Sequence, residues 1–166
     1  GNVDLFQTDN VIEKVDINDF DLLTSYLESI NPQVILNCIG ITKRKIGAND
    51  ILEALLTNSV FPHRLADWAA ENGKRVIHFS TDCVFSGKKG KYLISDLKDG
   101  QGIYAKTKSL GEVINQKDLT IRTSIVGPEL KNDGIGLLHW ALSNTENKIK
   151  GFKSVYWSGI TTLQLA

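Results

Sequence analysis

The stretch that decides the fold is RVIHFSTD, residues 75–82, in which a nearly continuous apolar run ends on a hydroxyl and a carboxylate. Two further runs of this kind are VILNCI at 34–39 and LTIRT at 119–123. Runs of this length that are apolar on nearly both faces are typical of parallel strands covered by helices on each side. A shorter candidate strand, KVDI at 14–17, precedes them.

Helical patterns separate these runs. Asn18 can cap a helix that continues to Ile30, and a longer pattern covers 51–71, where Pro62 predicts either a kink or two abutting helices. A third helix is predicted over 103–115. Alternating strands and helices with right-handed crossovers predict an α/β fold, a Rossmann-like doubly wound parallel sheet in three layers, α/β/α. In such folds ligands bind beyond the carboxyl ends of the strands.

The composition excludes several classes of protein. The 166 residues carry 19 Lys+Arg and 19 Asp+Glu, which gives no formal net charge, and 42% of them are hydrophobic. This balance excludes an intrinsically disordered chain and supplies no basic excess for binding nucleic acid. The apolar runs are too short to span a bilayer, so we expect no membrane partner. The chain contains no methionine and opens on Gly1, and we expect it to be a piece of a longer protein.

The cysteines and histidines predict neither a disulfide framework nor a metal site. Only Cys38 and Cys83 occur, which fits a reducing, cytoplasmic compartment, and both are expected to be small buried residues. The three histidines lack the spacing of metal ligands.

Polar groups that can carry chemistry gather after the predicted strand at 75–80. Thr81 and Asp82 follow it directly, and Tyr104 and Lys108, four residues apart, share one face of the next predicted helix. A tyrosine hydroxyl can donate the proton that a carbonyl oxygen needs when a hydride reduces the carbon. An ammonium about 4 Å away, at an effective dielectric constant of about 20, interacts by roughly 4 kcal/mol. Lys108 is therefore expected to lower the pKa of Tyr104 by about three units, toward neutrality.

These residues resemble a known family. The segments that carry the resemblance to the extended short-chain dehydrogenase/reductase superfamily, and within it to the dTDP-4-dehydrorhamnose reductases, are 80–87 (STDCVFSG), 104–108 (YAKTK), 110–112 (LGE) and 121–124 (IRTS). Residues 37–40 match the turn after the family's fourth strand, and Asn58 and Pro62 match two positions of its following helix. The resemblance implies reduction of a 4-keto nucleotide-sugar in polysaccharide biosynthesis, with NADP or NAD as the cofactor.

The resemblance also implies a role for each site residue. Thr81, Tyr104 and Lys108 are the catalytic set, with Tyr104 as the proton donor and Thr81 orienting the reacting oxygen. Thr81, Asp82 and Ile125 are expected to bind substrate, and Ile125 stands where rhamnose-pathway enzymes commonly carry a tryptophan. The residues expected to bind the cofactor are Asp16, Ile17, Cys38, Ile39, Gly40, Asn58, Tyr104 and Lys108.

Parts of the family pattern do not occur in the sequence. The glycine-rich turn that would hold the cofactor pyrophosphate is absent, as is the strand whose end selects NAD or NADP. We therefore expect residues 1–166 to be a partial NAD(P)-binding Rossmann-like domain, incomplete at both ends, in which 125–166 border the substrate-binding region. The chain on its own is expected to be inactive.

Two alternatives stay open at this stage. A nucleotide-sugar epimerase or dehydratase can use the same three catalytic side chains, although a dehydratase normally needs more carboxylates than Asp82. A non-catalytic regulatory subunit that binds a dinucleotide and a partner enzyme also fits, although it needs none of the three. The sequence leaves open the sugar, the choice between NAD and NADP, and the oligomeric state.

Overall fold

The structure is a computed structural model that describes residues 11–42, 50–129, 134, 136–145 and 148–166. The chain divides into a larger compact unit, residues 12–122, and a smaller one that contains residues 123–166. Within the described ranges, no helix is long and apolar enough to cross a membrane.

The larger unit is built on a three-stranded sheet. Its strands are β1 (Val34–Asn37), β2 (Arg75–Thr81) and β3 (Leu119–Thr123), in the order β1-β2-β3. Strands β1 and β2 run parallel, with Asn37 opposite His78. The three apolar runs therefore form strands as predicted, although β1 ends two residues earlier than expected. Because β1 and β2 are parallel, the turns that follow them emerge at the same edge of the sheet.

The fourth candidate strand, 14–17, does not form. These residues are irregular and lead into a turn at 17–18. The Asp16 carboxylate accepts hydrogen bonds from the backbone N–H of Asn18 at 2.9 Å and from its side-chain amide at 3.0 Å. Lys14 has a φ of 59°, which interrupts any extended run. A local turn closed by the Asp16 side chain thus replaces the predicted strand.

Helix α1 spans Phe20–Ile30, and its cap differs from the predicted one. The cap is Asp19, whose carboxylate accepts a hydrogen bond of 3.1 Å from the backbone N–H of Leu22, because Asn18 is held in the preceding turn. The helix ends at Asn31, which adopts the left-handed conformation with a φ of 50°.

The long helical pattern forms one continuous helix that changes its register. Helix α2 (Ile51–Leu55) passes through a π-helical turn at Leu56–Val60 into α3 (Phe61–Glu71). The N–H of Phe61 reaches back five residues to the carbonyl of Leu56, and Pro62 directly follows without an N–H of its own. The proline is therefore accommodated by one wider turn within a continuous helical segment.

Helix α4 (Gly102–Leu110) is five residues shorter at its end than the predicted 103–115. Its capping residue is Gly111, where an added Cβ would lie 1.8 Å from the carbonyl oxygen of Asn58 in the π-helical turn. Only a glycine permits this close approach, and the chain leaves the helix there. Ile114, expected on the helical face of Leu110, lies in the irregular segment beyond and is 78% exposed.

The apolar core of the larger unit joins α1 and α3 to the sheet. Partly buried side chains of Ile17, α1 and β1 pack against a fully buried cluster, whose members are Phe61, Leu65, Trp68, Ala69 and Val76. This packing fixes the sheet beneath the polar groups that follow β1 and β2.

The smaller unit contains a second, two-stranded parallel sheet. Strand β4 (Ile125–Val126) pairs with β5 (Ile160–Thr161). Its helices are α5 (Leu137–Leu142) and α6 (Thr162–Leu165). The expectation that the whole chain forms one partial domain stays a prediction.

Candidate active site

The chain turns sharply at Thr81, the last residue of β2. Residues 82–84 form a 3-10 turn, which Thr81 caps by accepting a hydrogen bond of 3.2 Å from the N–H of Cys83. The Thr81 hydroxyl also lies 3.3 Å from a carboxylate oxygen of Asp82. Thr81 is buried, whereas Asp82 and Cys83 are exposed. The cap therefore holds the threonine hydroxyl at the strand end, and the next two side chains face solvent.

Tyr104 and Lys108 project from one face of α4 onto the carboxyl half of β2. The phenol of Tyr104 interacts with the Thr81 hydroxyl, and the ammonium of Lys108 donates a hydrogen bond of 2.7 Å to the backbone carbonyl of Phe79. Tyr104 is partly buried and Lys108 is 4% exposed. The structure thus gathers the predicted alcohol, phenol and amine at one strand end.

The pKa of Tyr104 moves opposite to the expected direction. Burial of the phenol is the largest cause and raises the pKa above its ordinary value of 10.0. The nearby Thr81 hydroxyl opposes this rise in the Tyr104 pKa, and the neighbouring Cys83 and Asp82 add to it. The prediction that Lys108 brings this pKa toward neutrality is wrong here, because burial dominates and the ammonium binds the carbonyl of Phe79.

Lys108 is itself strongly perturbed. Burial lowers the pKa of its amine from 10.5 to about 8, although the carboxylate of Glu112 opposes this shift. The amine consequently stays mainly charged at neutral pH while it sits in an environment that favours the neutral form. A lysine in this condition gains stability from any further partner that accepts a hydrogen bond.

Asn58 joins three parts of the site. It is fully buried in the π-helical turn, and its side-chain amide donates to the hydroxyl of Thr107 on α4 at 3.1 Å. Its side-chain oxygen Oδ1 accepts a hydrogen bond of 2.8 Å from the backbone N–H of Ile41, and its Nδ2 donates one of 3.0 Å to the backbone carbonyl of Ile41. Asn58 therefore holds α4 and the turn after β1 in a fixed relation.

The turn after β1 is a suitable place for a ligand that also reaches Lys108. Its residues Cys38, Ile39 and Gly40 are all exposed. A Cβ on Gly40 would lie 3.3 Å from the Asn58 side-chain oxygen and 3.7 Å from the Lys108 Nζ. An exposed turn whose backbone lies against a buried ammonium is compatible with a dinucleotide that spans both.

The remaining predicted residues are less closely tied to the site. The carboxylate of Asp16 closes its own turn with Asn18, and Ile17 packs against the apolar core. Ile125 lies in β4 of the smaller unit. Their predicted roles toward cofactor and substrate stay predictions.

The two thiols are not buried as expected. Cys38 and Cys83 are both free and exposed, because Cys38 directly follows β1 and Cys83 lies in the 3-10 turn that follows β2. Cys83 belongs to an open cavity of about 360 Å³, whose lining residues are Cys83, Phe85, Ser86, Lys88, Gln101, Gly102, Ile103, Tyr104 and Ala105. Tyr104 is therefore one of the residues that line an open cavity next to the strand end.

A buried ion cluster beneath the site has no role in the sequence-based interpretation. Glu112 binds Arg122 through two hydrogen bonds of 2.8 Å, accepts 2.8 Å from the Ser80 hydroxyl, and lies 3.1 Å from the Lys98 ammonium. Burial raises the pKa of Glu112, but the bonds from these three partners outweigh it, so the net shift is downward. Glu112 lies beyond the end of α4, so helical spacing does not place it; the signal that could have done so is that Glu112 and Arg122 both belong to the segments, 110–112 and 121–124, that carry the family resemblance.

The parallel strands, the covering helices and the polar groups at the strand ends define a Rossmann-like α/β protein. The chain belongs to the RmlD substrate binding domain family, whose profile matches residues 3–149. A curated relative, dTDP-4-dehydrorhamnose reductase of Aggregatibacter actinomycetemcomitans, is 30% identical over 125 residues, which are 72% of this chain and 42% of that protein. The chain thus spans less than half the length of this relative.

Solved structures show the same fold. A hypothetical dTDP-4-dehydrorhamnose reductase from Sulfolobus tokodaii matches with a TM-score of 0.80 and 25% identity, over 95% of this chain and 58% of that one. The dTDP-4-dehydrorhamnose reductase of Bacillus anthracis in complex with NADP matches with a TM-score of 0.70 and 22% identity, over 81% of this chain and 49% of that one. The second likeness concerns the fold alone.

Proposed function

We propose that the complete protein reduces a 4-keto nucleotide-sugar with NAD(P)H, as an oxidoreductase of the short-chain dehydrogenase type. The observation that carries the proposal is the meeting of Thr81, Tyr104 and Lys108 at the carboxyl end of β2. It is supported by membership of the RmlD family and by relatives named dTDP-4-dehydrorhamnose reductase. We place this activity in the cytoplasm and in nucleotide-sugar metabolism.

The proposed mechanism uses Tyr104 as the proton donor. Its raised pKa keeps the phenol protonated at neutral pH, which is the form that reduction requires. A nicotinamide cofactor, when bound, would supply the hydride to the carbonyl carbon. The Tyr104 proton passes to the carbonyl oxygen, which becomes the alcohol, and the phenolate left behind is stabilised by the Thr81 hydroxyl. A proton from solvent then restores the phenol.

The other assigned residues bind and orient. Lys108 also holds the ribose next to the nicotinamide, Cys38, Ile39 and Gly40 line the adenosine side, and Asn58 keeps that turn and α4 together. Asp16 and Ile17 lie toward the adenine. Asp82 contacts the sugar-nucleotide, and the resemblance assigns Ile125 to substrate binding and residues 125–166 to the border of the substrate region. We also expect that residues 1–166 alone neither bind NADPH tightly nor catalyse reduction, because they contain no glycine-rich pyrophosphate turn.

The direct test is turnover by the complete protein. NADPH and NADH are offered with a panel of 4-keto nucleotide-sugars, cofactor oxidation is followed by absorbance, and the products are identified by NMR. Cofactor consumed in proportion to a 4-hydroxy product supports the proposal. An epimerised or dehydrated sugar without net cofactor consumption identifies the other enzyme class, and a stoichiometric partner enzyme without any turnover identifies a regulatory subunit. Either of these results contradicts the proposed reduction.

A further inference from the structure

His78 is a buried imidazole beside the site that the proposed mechanism does not use. It lies on β2 opposite Asn37 of β1, and no part of it is exposed. Its Nδ1 lies 3.1 Å from the Nδ2 of Asn37. Its Nε2 has no hydrogen-bond partner among the residues that the structure describes. Burying an imidazole with an unpaired ring nitrogen costs free energy that apolar packing alone does not explain.

The contacts of Asn37 determine which ring nitrogen carries the proton. The Asn37 Oδ1 accepts a hydrogen bond of 3.1 Å from the N–H of Ile39, so the NH₂ group is turned toward His78. An NH₂ group can only donate, and Nδ1 of His78 must therefore be the unprotonated acceptor. The proton of the neutral ring is consequently on Nε2.

This pair holds one end of the turn at 38–41. Asn37 fixes the N–H of Ile39, while Asn58 fixes both backbone groups of Ile41 at the other end. Asn37 lies on β1 and contacts His78 on β2, whereas Asn58 lies in the π-helical turn, so the two ends of the turn are held by different elements. The backbone of the turn is thus held by two buried side-chain amides: Asn37, which contacts the His78 ring, and Asn58, which contacts the Thr107 hydroxyl.

We propose that His78 is a positioning residue for the cofactor site. Through Asn37 it holds the turn at 38–41 where Gly40 lies against the ammonium of Lys108. Loss of the Nδ1 acceptor frees the Asn37 amide to rotate, and the turn then loses the bond that orients it. The ligand in this inference, a pyridine dinucleotide, rests on the proposed function, whereas the contact itself does not.

Burial keeps the His78 ring in the neutral form that this contact requires. Burial is the largest influence and lowers the pKa of His78 to about 4, with a further lowering from Lys108 and from His63 and an opposing effect of Glu112. A second ring proton would sit on Nδ1 and face the NH₂ group of Asn37. Between pH 8 and 5.5 the ring therefore stays neutral and the contact stays intact.

The first test reads the contact directly, by ¹⁵N NMR of the histidine rings in the complete protein. The signals that disappear in His78→Asn belong to His78, and they are expected to show a protonated Nε2 and an unprotonated Nδ1 from pH 8 to 5.5. Asn37→Asp keeps an acceptor for the N–H of Ile39 but offers a carboxylate to Nδ1, so the pKa of His78 is expected to rise above 6. A ring protonated on Nδ1, or a titration unmoved by Asn37→Asp, overturns the inference.

The second test measures what the contact does for the ligand. His78→Leu removes the acceptor, whereas in His78→Asn the side-chain oxygen takes the place of Nδ1. Both substitutions remove the ring, so both are expected to lower the melting temperature to a similar extent. Titration of the complete protein with NADPH is expected to give a Kd about 5- to 10-fold higher for His78→Leu and within about 2-fold of wild type for His78→Asn, the size of one neutral hydrogen bond. Equal affinities for the two variants contradict the inference.

These readouts separate the inference from the proposed reduction. Neither requires a sugar substrate, so a protein that binds NADPH as described but reduces no 4-keto sugar contradicts the proposed function alone. A protein that reduces the sugar while His78→Leu binds NADPH as tightly as wild type contradicts the role of His78 alone. A wild-type protein that binds no dinucleotide contradicts both.

Discussion

The ammonium of Lys108 donates a hydrogen bond of 2.7 Å to the backbone carbonyl of Phe79. Phe79 lies on β2 two residues before Thr81, so this contact holds the Lys108 ammonium, which projects from α4, close to the strand end that also carries Thr81. It also explains how the amine remains in a buried position, since the carbonyl partly replaces the water that burial removes. The perturbed lysine and the protonated tyrosine lead to separate, measurable pH effects.

The alkaline limit of the reaction is expected to follow Lys108 rather than Tyr104. The amine has a pKa of about 8, whereas the pKa of the phenol is raised above 10.0. As the pH rises through 8, the free protein loses the positive charge, and kcat/KM for NADPH is expected to fall with a slope of one. In Lys108→Arg the fall is expected to move beyond pH 10, and in Lys106→Arg, an exposed neighbour on α4, to stay in place. If kcat/KM for NADPH still falls near pH 8 in Lys108→Arg, this assignment is contradicted.

The same amine is expected to destabilise the folded protein at neutral pH. Its pKa is lowered from 10.5 in the unfolded chain to about 8, so the unfolded state binds more protons between these values. Stability is therefore expected to rise with pH from 8 toward 10.5, and the penalty is fully present below 8. Lys108→Met is expected to raise the free energy of unfolding at pH 7 by about 1–2 kcal/mol, after allowing for the lost bond to Phe79.

Urea unfolding of the complete protein measures this effect, with Lys106→Met as the control. Lys106 is exposed on the same helix, so its replacement is expected to change stability by less than about 0.5 kcal/mol. A Lys108→Met variant that is less stable than wild type at pH 7 would show that the buried charge is better compensated than we argue.

Glu112 is expected to be a stability residue that acts through its partners. Glu112→Gln leaves Arg122 without its carboxylate and is expected to cost about 3 kcal/mol of unfolding free energy. The double variant Glu112→Leu/Arg122→Met is expected to lose less unfolding free energy than the sum of the losses in Glu112→Leu alone and Arg122→Met alone. Glu71→Gln, at the exposed end of α3, serves as the control. Additive single effects, measured by urea unfolding, would show that the pair is not coupled.

Gly111 is expected to be required for its lack of a side chain and not for its backbone conformation. Its φ is −85°, which any residue adopts, but a Cβ would lie 1.8 Å from the Asn58 carbonyl oxygen. Gly111→Ala is therefore expected to lower the free energy of unfolding by at least about 2 kcal/mol. At Gly151 an added Cβ meets no atom within 4 Å, so Gly151→Ala is expected to be nearly neutral. Thermal unfolding compares the two, and equal effects would contradict the close approach.

The sequence predicted those features that depend on short-range patterns. The runs at 34–39, 75–80 and 119–123 contain strands because short continuous apolar runs are typical of parallel strands, although Val34 and Leu36 of β1 remain exposed. The meeting of Thr81, Tyr104 and Lys108 was predictable because a strand end and a helical spacing of four residues place side chains without further information.

Features that depend on distant contacts were not predictable in this way. Helix α4 ends where Gly111 lies against the backbone carbonyl of Asn58, a residue distant in sequence. The hydrogen-bond partner of Lys108 is the backbone carbonyl of Phe79, and a backbone partner cannot be recognised from residue type. The direction of the Tyr104 pKa follows from burial, which the sequence does not quantify. The strand predicted at 14–17 does not form, because the Asp16 carboxylate accepts a hydrogen bond from the backbone N–H of Asn18 and so stabilises a local turn.

The most direct test of the central claim is the turnover of Tyr104→Phe in the complete protein with NADPH and a 4-keto nucleotide-sugar. The variant keeps the ring and loses only the proton, so kcat is expected to fall by at least about 100-fold while the Kd for NADPH changes little. Tyr26→Phe, on α1 away from the strand ends, is expected to retain wild-type kcat. Equal turnover by wild type and Tyr104→Phe would contradict the role of Tyr104 as the proton donor.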